Sequence, residues 1–82
     1  MNNKLLKQLK VLSTNDNSTY SVIAQYLLKM YDIKNIENLK IIQIQNECHV
    51  SSSTIVRFCK HIGCSGFSEL KYKLIQVKKK MI

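Results

Sequence analysis

Apolar residues recur every three or four positions through most of the chain, which is the spacing that places them on one side of an α-helix. The clearest run is 20–31, where they fall at i, i+3, i+4, i+7, i+8 and i+11. The run Lys4 to Leu12 sets leucines against lysines on the opposite side. These runs predict two amphipathic helices, the second beginning at about Ser18 after a polar break at 13–18.

Three further helices are predicted in the rest of the chain. The isoleucines of 39–48, LKIIQIQNEC, suit either a short helix or a strand, and the position just before another helix favours a helix. Apolar residues in 55–62 recur at helical spacing, and Gly63 is a typical helix stop. The last helix runs from about Gly66 to Val77. The pattern therefore predicts an all-α fold, a five-helix bundle.

The chain is expected to form one domain, because 82 residues bury too little surface to divide a core in two. The polar connector 32–38 offers this core one apolar anchor, either Ile33 or Ile36. No Pro and only two Gly are present, which agrees with a mostly helical chain.

Charge is distributed unevenly along the chain. The formal net charge is +8, and the part from Ser51 onward holds seven basic residues against Glu69 alone, a net of +6. The first fifty residues hold six lysines against four acids, a net of +2. A field of this sign attracts polyanions, so nucleic acid and anionic lipid surfaces are the leading candidate partners.

Several other classes of protein are disfavoured by the sequence. No apolar run is long enough to span a membrane and the N-terminus lacks a signal peptide's apolar core, so we expect a cytoplasmic protein with no membrane-spanning segment. Paired carboxylates and a phosphate-binding glycine loop are both missing, so no enzyme is expected.

The three cysteines are expected to be free thiols, because an odd number fits a reducing compartment better than a disulfide framework. With the two histidines they lie within seventeen residues, yet their spacing does not repeat a paired CxxC and Cys59 points into the predicted core. We therefore expect no metal and no cofactor. The residues concerned are Cys48, His49, Cys59, His61 and Cys64.

The two helices that meet near His49 and Val50 have the layout of a helix-turn-helix. On the second helix, the side opposite the apolar residues carries Ser53, Arg57 and Lys60. Thr54 and His61 flank that side, and Ser51 is placed to cap the helix N-terminus.

This arrangement of side chains suits a helix that enters the DNA major groove. Small hydroxyl residues in its first turn let the backbone approach the base edges, and bulky ones would hold it away. Arg57 is the single arginine of the chain, and its planar fork can bind guanine O6 and N7 together or clamp a phosphate.

The stretch VSSSTIVRFCKHIGCSGFSELK, residues 50–71, resembles the N-terminal domain of RpiR-type bacterial transcription regulators. Weaker agreement extends to IAQYLL at 23–28. The matching positions are Val50, Ser51, Thr54, Ile55, Val56, Arg57, Phe58, Cys59, Gly63, Gly66, Phe67, Glu69, Leu70 and Lys71. His49 departs from the glycine that the family often has at the turn, and Gln45 departs from a small alanine.

The resemblance implies a five-helix domain that binds operator DNA as a homodimer and controls genes of sugar or amino-sugar use. It implies that Ser51, Ser53, Thr54 and Arg57 face the DNA. Charge and position add the remaining residues of the predicted DNA-binding set, Lys60, His61 and Lys71.

Regulators of this type usually continue into a domain that binds a phosphosugar effector. We therefore expect residues 1–77 to be the helix-turn-helix DNA-binding domain. Residues 78–82, with the solvated lysines Lys78 to Lys80, are expected to be a basic tail or the start of a linker to that further domain. A phosphosugar would then act only through the further domain.

A second class of function stays open on the sequence. The leucines Leu5, Leu9 and Leu12, together with the basic C-terminal part, would also suit a small interaction module that binds a partner protein or an anionic surface. Duplex binding that weakens steeply with salt distinguishes the DNA-binding hypothesis from this alternative.

Overall fold

Helices form where the apolar spacing predicts them. A computed structural model of the chain describes residues 4–15, 18–33 and 36–80. Within this part the structure contains no strand, and the isoleucine-rich segment is a helix, so the predicted all-α five-helix fold is confirmed. The helices are α1 (Lys4–Ser13), α2 (Thr19–Asp32), α3 (Ile41–Cys48), α4 (Ser52–His61) and α5 (Phe67–Lys80).

Local side chains mark where the helices begin. The hydroxyl of Ser18 accepts a hydrogen bond from the backbone N–H of Ser21 at 2.9 Å, which caps α2. The side-chain oxygen of Gln43 accepts one from the backbone N–H of Lys40 at 2.7 Å, just before α3. Such a cap contributes about 1 kcal/mol, because it satisfies a donor that the helix leaves unpaired.

All five helices contribute to one hydrophobic core. Leu9, Leu27, Ile44, Phe58 and Leu74, one from each helix in chain order, are fully or almost fully buried. The radius of gyration, 11.6 Å, is the value of about 12 Å expected for a folded chain of this length. Every helix, including α4, is therefore anchored in one packed core.

The anchor of the connector between α2 and α3 is Ile36. Its side chain is 5% exposed, whereas Ile33 is 58% exposed. Leu39 is buried beside it in the core, and the backbone N–H of Leu39 donates to the carbonyl of Ile36. The structure thereby decides between two residues that the sequence left as alternatives.

The end of α5 differs from the expectation. The helix continues to Lys80 instead of ending at Val77, and Lys78 is docked where a solvated lysine was predicted. Its ammonium donates a 2.8 Å hydrogen bond to the backbone carbonyl of Tyr31 and lies 4.2 Å from the centre of the Tyr31 ring. That carbonyl belongs to the C-terminal turn of α2, where a cation is stabilised by the helix dipole. Met81 and Ile82, the end of the predicted tail, lie outside the described residues.

Two further features of the described ranges bear on function. None of their helices combines the length and the apolar character needed to cross a membrane. Nor do three or more His, Cys, Asp or Glu side chains of 4–15, 18–33 and 36–80 come together as they would around a metal ion.

Candidate nucleic-acid interface

The turn between α3 and α4 depends on a left-handed residue. His49 has φ 57° and ψ 49°, and its backbone N–H donates to the carbonyl of Gln45. The backbone N–H of Val50 donates to the same carbonyl at 3.2 Å. A left-handed residue after the last helical turn is the usual way for a helix to end and the chain to reverse direction. His49 thus adopts the conformation for which glycine is favoured.

Ser51 caps α4, as predicted. Its hydroxyl accepts a hydrogen bond from the backbone N–H of Thr54 at 3.2 Å, and its backbone is extended. The hydroxyls of Ser51 and Thr54 also lie 3.0 Å apart, within hydrogen-bonding distance. The cap therefore fixes the two hydroxyls relative to one another at the start of the helix.

The solvent face of α4 is the one that helical spacing predicts. Ser53, Arg57 and Lys60 are exposed, and His61 is exposed at the C-terminal end. Thr54 is half-buried, in keeping with its contact with Ser51. Arg57 forms no ion pair with any of the described residues, so its guanidinium remains available to a ligand.

The opposite face of α4 holds the helix firmly against the core. Ile55, Phe58 and Cys59 are 0–1% exposed, and the Phe58 ring packs edge-to-face on Tyr20 with 5.3 Å between ring centres. Burial of this kind contributes about 1.5–3 kcal/mol for a large apolar side chain. The orientation of Arg57 is consequently set by the packing of Ile55, about half a turn away on the opposite face, and of the neighbours of Ile55.

Gly63 ends the helix. Its φ is 91°, and its backbone N–H donates to the carbonyl of Lys60 at 3.1 Å. The backbone N–H of Cys64 donates to the carbonyl of Cys59 at 2.8 Å, which completes a Schellman motif. A residue with a side chain would be strained here, because L-residues rarely adopt this φ.

His61 contacts a residue that sequence reasoning did not connect with it. Its ring lies against Tyr20 of α2, with 5.2 Å between centres and a tilt of 52°. His61 also lines a groove together with Lys4 and Lys7 of α1. These partners lie more than forty residues away in the sequence, so no local pattern could have identified them.

The predicted set is therefore divided between two elements. Six of its members stand on α4 or its cap, where the structure brings them together: Ser51, Ser53, Thr54, Arg57, Lys60 and His61. Lys71 lies on α5, where it is half-buried and makes no ion pair within the described part of the chain.

Glu69, the single acid of the sequence from Ser51 onward, is paired with groups close to it in the chain. One oxygen of Glu69 accepts a 2.6 Å hydrogen bond from the backbone N–H of Ser65, and the other lies 3.1 Å from the Lys73 ammonium. The hydrogen bonds from Ser65, then that from Lys73, lower the pKa of the Glu69 carboxyl to about 2. The carboxylate is thus paired with groups of α5 and its N-terminal turn rather than with Arg57.

The cysteines are part of the packing. Cys48, Cys59 and Cys64 are free and buried, and burial raises the pKa of the Cys59 thiol to about 11. The same cause raises the pKa of the other two thiols. A thiol that stays protonated is a poor nucleophile and a poor metal ligand, so these side chains act as small core residues.

Comparisons with known proteins agree with this geometry. The family model described as the helix-turn-helix domain of the rpiR family matches residues 1–80. An uncharacterised HTH-type transcriptional regulator of Caldanaerobacter subterraneus subsp. tengcongensis is 31% identical over 70 residues, which are 85% of this chain and 24% of that protein. The bifunctional protein glk of Paraburkholderia xenovorans is 42% identical over 41 residues, 50% of this chain and 6% of that protein. No solved structure matches the chain.

The chain spans about a quarter of the length of the first of these relatives. The family model, in contrast, extends over all five helices, including the turn at His49 and the exposed face of α4. The resemblance seen in the sequence is thereby confirmed: the chain belongs to the rpiR family of helix-turn-helix domains, which is a family of transcription-regulator domains and not of enzymes.

Proposed function

We propose that this chain binds double-stranded DNA in a sequence-specific manner, as the DNA-binding domain of a transcriptional regulator. The observation that carries the proposal is the exposed face of α4. Small hydroxyls at Ser51 and Ser53 precede the guanidinium of Arg57, which has no ion-pair partner in the described part of the chain, on a helix that is capped and firmly packed. The similarity to an HTH-type transcriptional regulator supports the same function.

The first turns of α4 provide the contacts with bases. The major groove is about 12 Å wide and admits one helix, provided that the leading side chains are small. Ser53 and Thr54 meet this condition. Arg57 follows one turn later, where its two parallel N–H donors bind O6 and N7 of a guanine.

The other cations hold the duplex through its phosphates. Lys60 and His61 lie at the C-terminal end of α4, and Lys71 lies on α5. Contacts of this kind set the orientation of the protein and carry no sequence information of their own.

The regulator acts as a homodimer in the cytoplasm, where bacterial DNA lies. One such helix contacts too few base pairs to specify a unique site in a genome. Two copies bound to a symmetric operator read twice as many base pairs. The family resemblance supports genes of sugar or amino-sugar use as targets. It also supports a phosphosugar effector that acts through a domain beyond this chain.

The test is a binding titration with two duplexes of about 30 base pairs, one enriched from a random library by selection on the protein and one of arbitrary sequence. Arg57→Ala is expected to weaken binding to the selected duplex by about 1–3 kcal/mol and to weaken binding to the arbitrary duplex less. Lys71→Ala is the matched control, and it is expected to weaken binding to both duplexes equally.

Two results would contradict parts of the proposal. An equal loss of affinity for both duplexes in Arg57→Ala would mean that Arg57 contacts a phosphate and not a base. Absence of duplex binding by the folded wild-type chain at low salt would exclude the proposed function. The interaction module that binds a partner protein or an anionic surface would then replace it.

A further inference from the structure

A groove runs between α1 and the C-terminal end of α4. One part, of about 330 Å³, is lined by Lys4, Lys7, Gln8 and Val11 of α1 and by His61 and Ile62. A second part, of about 270 Å³, continues past the same Lys4, Gln8 and Ile62 to Gly63 and Lys73. We call the two parts together the α1 groove.

The rim of the α1 groove is cationic. Lys4 and Lys7 are exposed along it and form no ion pair within the described residues, and no acidic side chain is among the lining residues. Lys73 differs from them because Glu69 already binds its ammonium. Within the described residues, Lys4 and Lys7 therefore remain unpaired on the α1 side, where Gln8 and an apolar floor at Ile62 also line the groove.

The α1 groove is continuous with the exposed face of α4 through His61. At 100° per residue, His61 and Thr54 share the flank of α4 next to Arg57, and Tyr20 supports His61 from behind. The α1 lysines lie beyond this flank. A helix inserted in the major groove has a phosphate backbone on each side, so elements beside its flank face phosphates rather than bases.

We infer that the α1 groove is a second DNA contact, in which Lys4 and Lys7 bind phosphates of the strand that runs along the His61 flank of α4. This inference rests on the proposed function and extends it to an element outside the helix-turn-helix. Charge complementarity and continuity with α4 favour a duplex backbone over a segment of a protein partner. Such a segment would gain only the apolar contact with the floor of the groove.

The test is the salt dependence of binding to an arbitrary duplex of about 30 base pairs, measured for Lys4→Gln/Lys7→Gln between about 50 and 200 mM salt. A plot of log K against log salt has a negative slope, and each lost phosphate contact makes this slope less steep by roughly 0.9. The double variant is expected to make the slope less steep by about 1.8. It is also expected to weaken binding on the order of tenfold per lysine at about 0.1 M salt.

The matched control is Lys10→Gln/Lys29→Gln. Both lysines are exposed, neither lines the α1 groove, and Lys10 stands on the same helix about 120° away from the groove. This variant removes the same charge and is expected to change the slope much less. Circular dichroism of each variant confirms that it is folded before binding is compared.

The outcomes separate this inference from the proposed function. If the wild-type chain binds the duplex and Lys4→Gln/Lys7→Gln has the same slope as the control variant, the α1 groove is no DNA contact, and a protein segment becomes its candidate occupant. DNA binding through α4 would then still hold. If the wild-type chain binds no duplex, both the proposed function and the second contact are wrong.

Discussion

At the scale of single residues, the conformation of His49 determines how α4 is presented. The left-handed backbone there lets Gln45 accept hydrogen bonds from two successive N–H groups. Residues other than Gly, Asn and Asp adopt this conformation at a cost of roughly 1–2 kcal/mol. His tolerates it better than most, which explains how a residue other than glycine serves at this turn.

We expect His49→Gly to be more stable than His49→Val by about 1–2 kcal/mol, because a β-branched side chain is strained in the left-handed region. Urea denaturation followed by circular dichroism measures the difference. Asn46, exposed within α3, provides the control, since glycine is the worse of the two residues in a regular helix. If glycine and valine ranked in the same order at both positions, the left-handed conformation would not be the cause.

Residues whose roles depend on near neighbours were predictable. Ser51 is the cap because a hydroxyl before a helix reaches the N–H three residues later, a contact that the sequence spacing already contains. Gly63 was recognised as a stop for a similar local reason. Tyr20 was not predicted to support His61, because only the packing of α2 against α4 brings their rings together.

At the scale of elements, α5 is held at both ends by side-chain contacts. Glu69 joins Ser65 to Lys73 across the first turns, and Lys78 joins the last turns to the carbonyl of Tyr31 on α2. The sequence predicted the middle of this helix well, since Leu70 and Leu74 fall at helical spacing and are buried. Its end was predicted too early, because consecutive lysines carry no apolar period.

The contacts of Glu69 make stability sensitive to acid. Because the folded pKa is about 2, below the ordinary carboxyl value of 4.5, the unfolded chain takes up this proton first as the pH falls. Stability from Glu69 is therefore complete above pH 4.5 and is lost between there and about pH 2. Glu69→Gln is expected to show a smaller loss of stability over this range than the wild-type chain.

Urea midpoints measured at several pH values across that window test this prediction. Glu47→Gln serves as the control, because Glu47 is an exposed glutamate on α3 that takes no part in these hydrogen bonds. If Glu69→Gln and the wild-type chain lost stability in parallel, the hydrogen bonds of Glu69 would not be the source of the acid sensitivity.

At the scale of the whole molecule, one small hydrophobic core holds all five helices together. A domain of this length is stable by about 4–12 kcal/mol, so access to its interior requires most of that free energy. Cys59 is fully buried and its thiol pKa is raised to about 11. Its chemical reactivity therefore reports on opening of the core.

We expect iodoacetamide to label Cys59 at least about a thousandfold more slowly in the native chain than in the urea-unfolded chain, because only rare opening exposes the thiol. Mass spectrometry of peptides after timed labelling measures the rate. Lys29→Cys places a thiol at an exposed position of α2 and is the internal control. Native labelling of Cys59 as fast as that of the introduced thiol would contradict the buried assignment.

By itself, the sequence determined the five helices apart from the end of α5, the turn at His49, the cap at Ser51 and the solvent face of α4, because each depends on residues within four positions of one another. The structure alone decided that Ile36 rather than Ile33 anchors the connector, that Lys78 docks on α2, and that the lysines of α1 lie beside His61. These contacts join residues from separate helices, and helical periodicity holds no information on which helices pack together. The proposed second DNA contact accordingly comes from tertiary packing, whereas the first was predicted from the spacing of Ser51, Ser53 and Arg57 alone and remains a proposal.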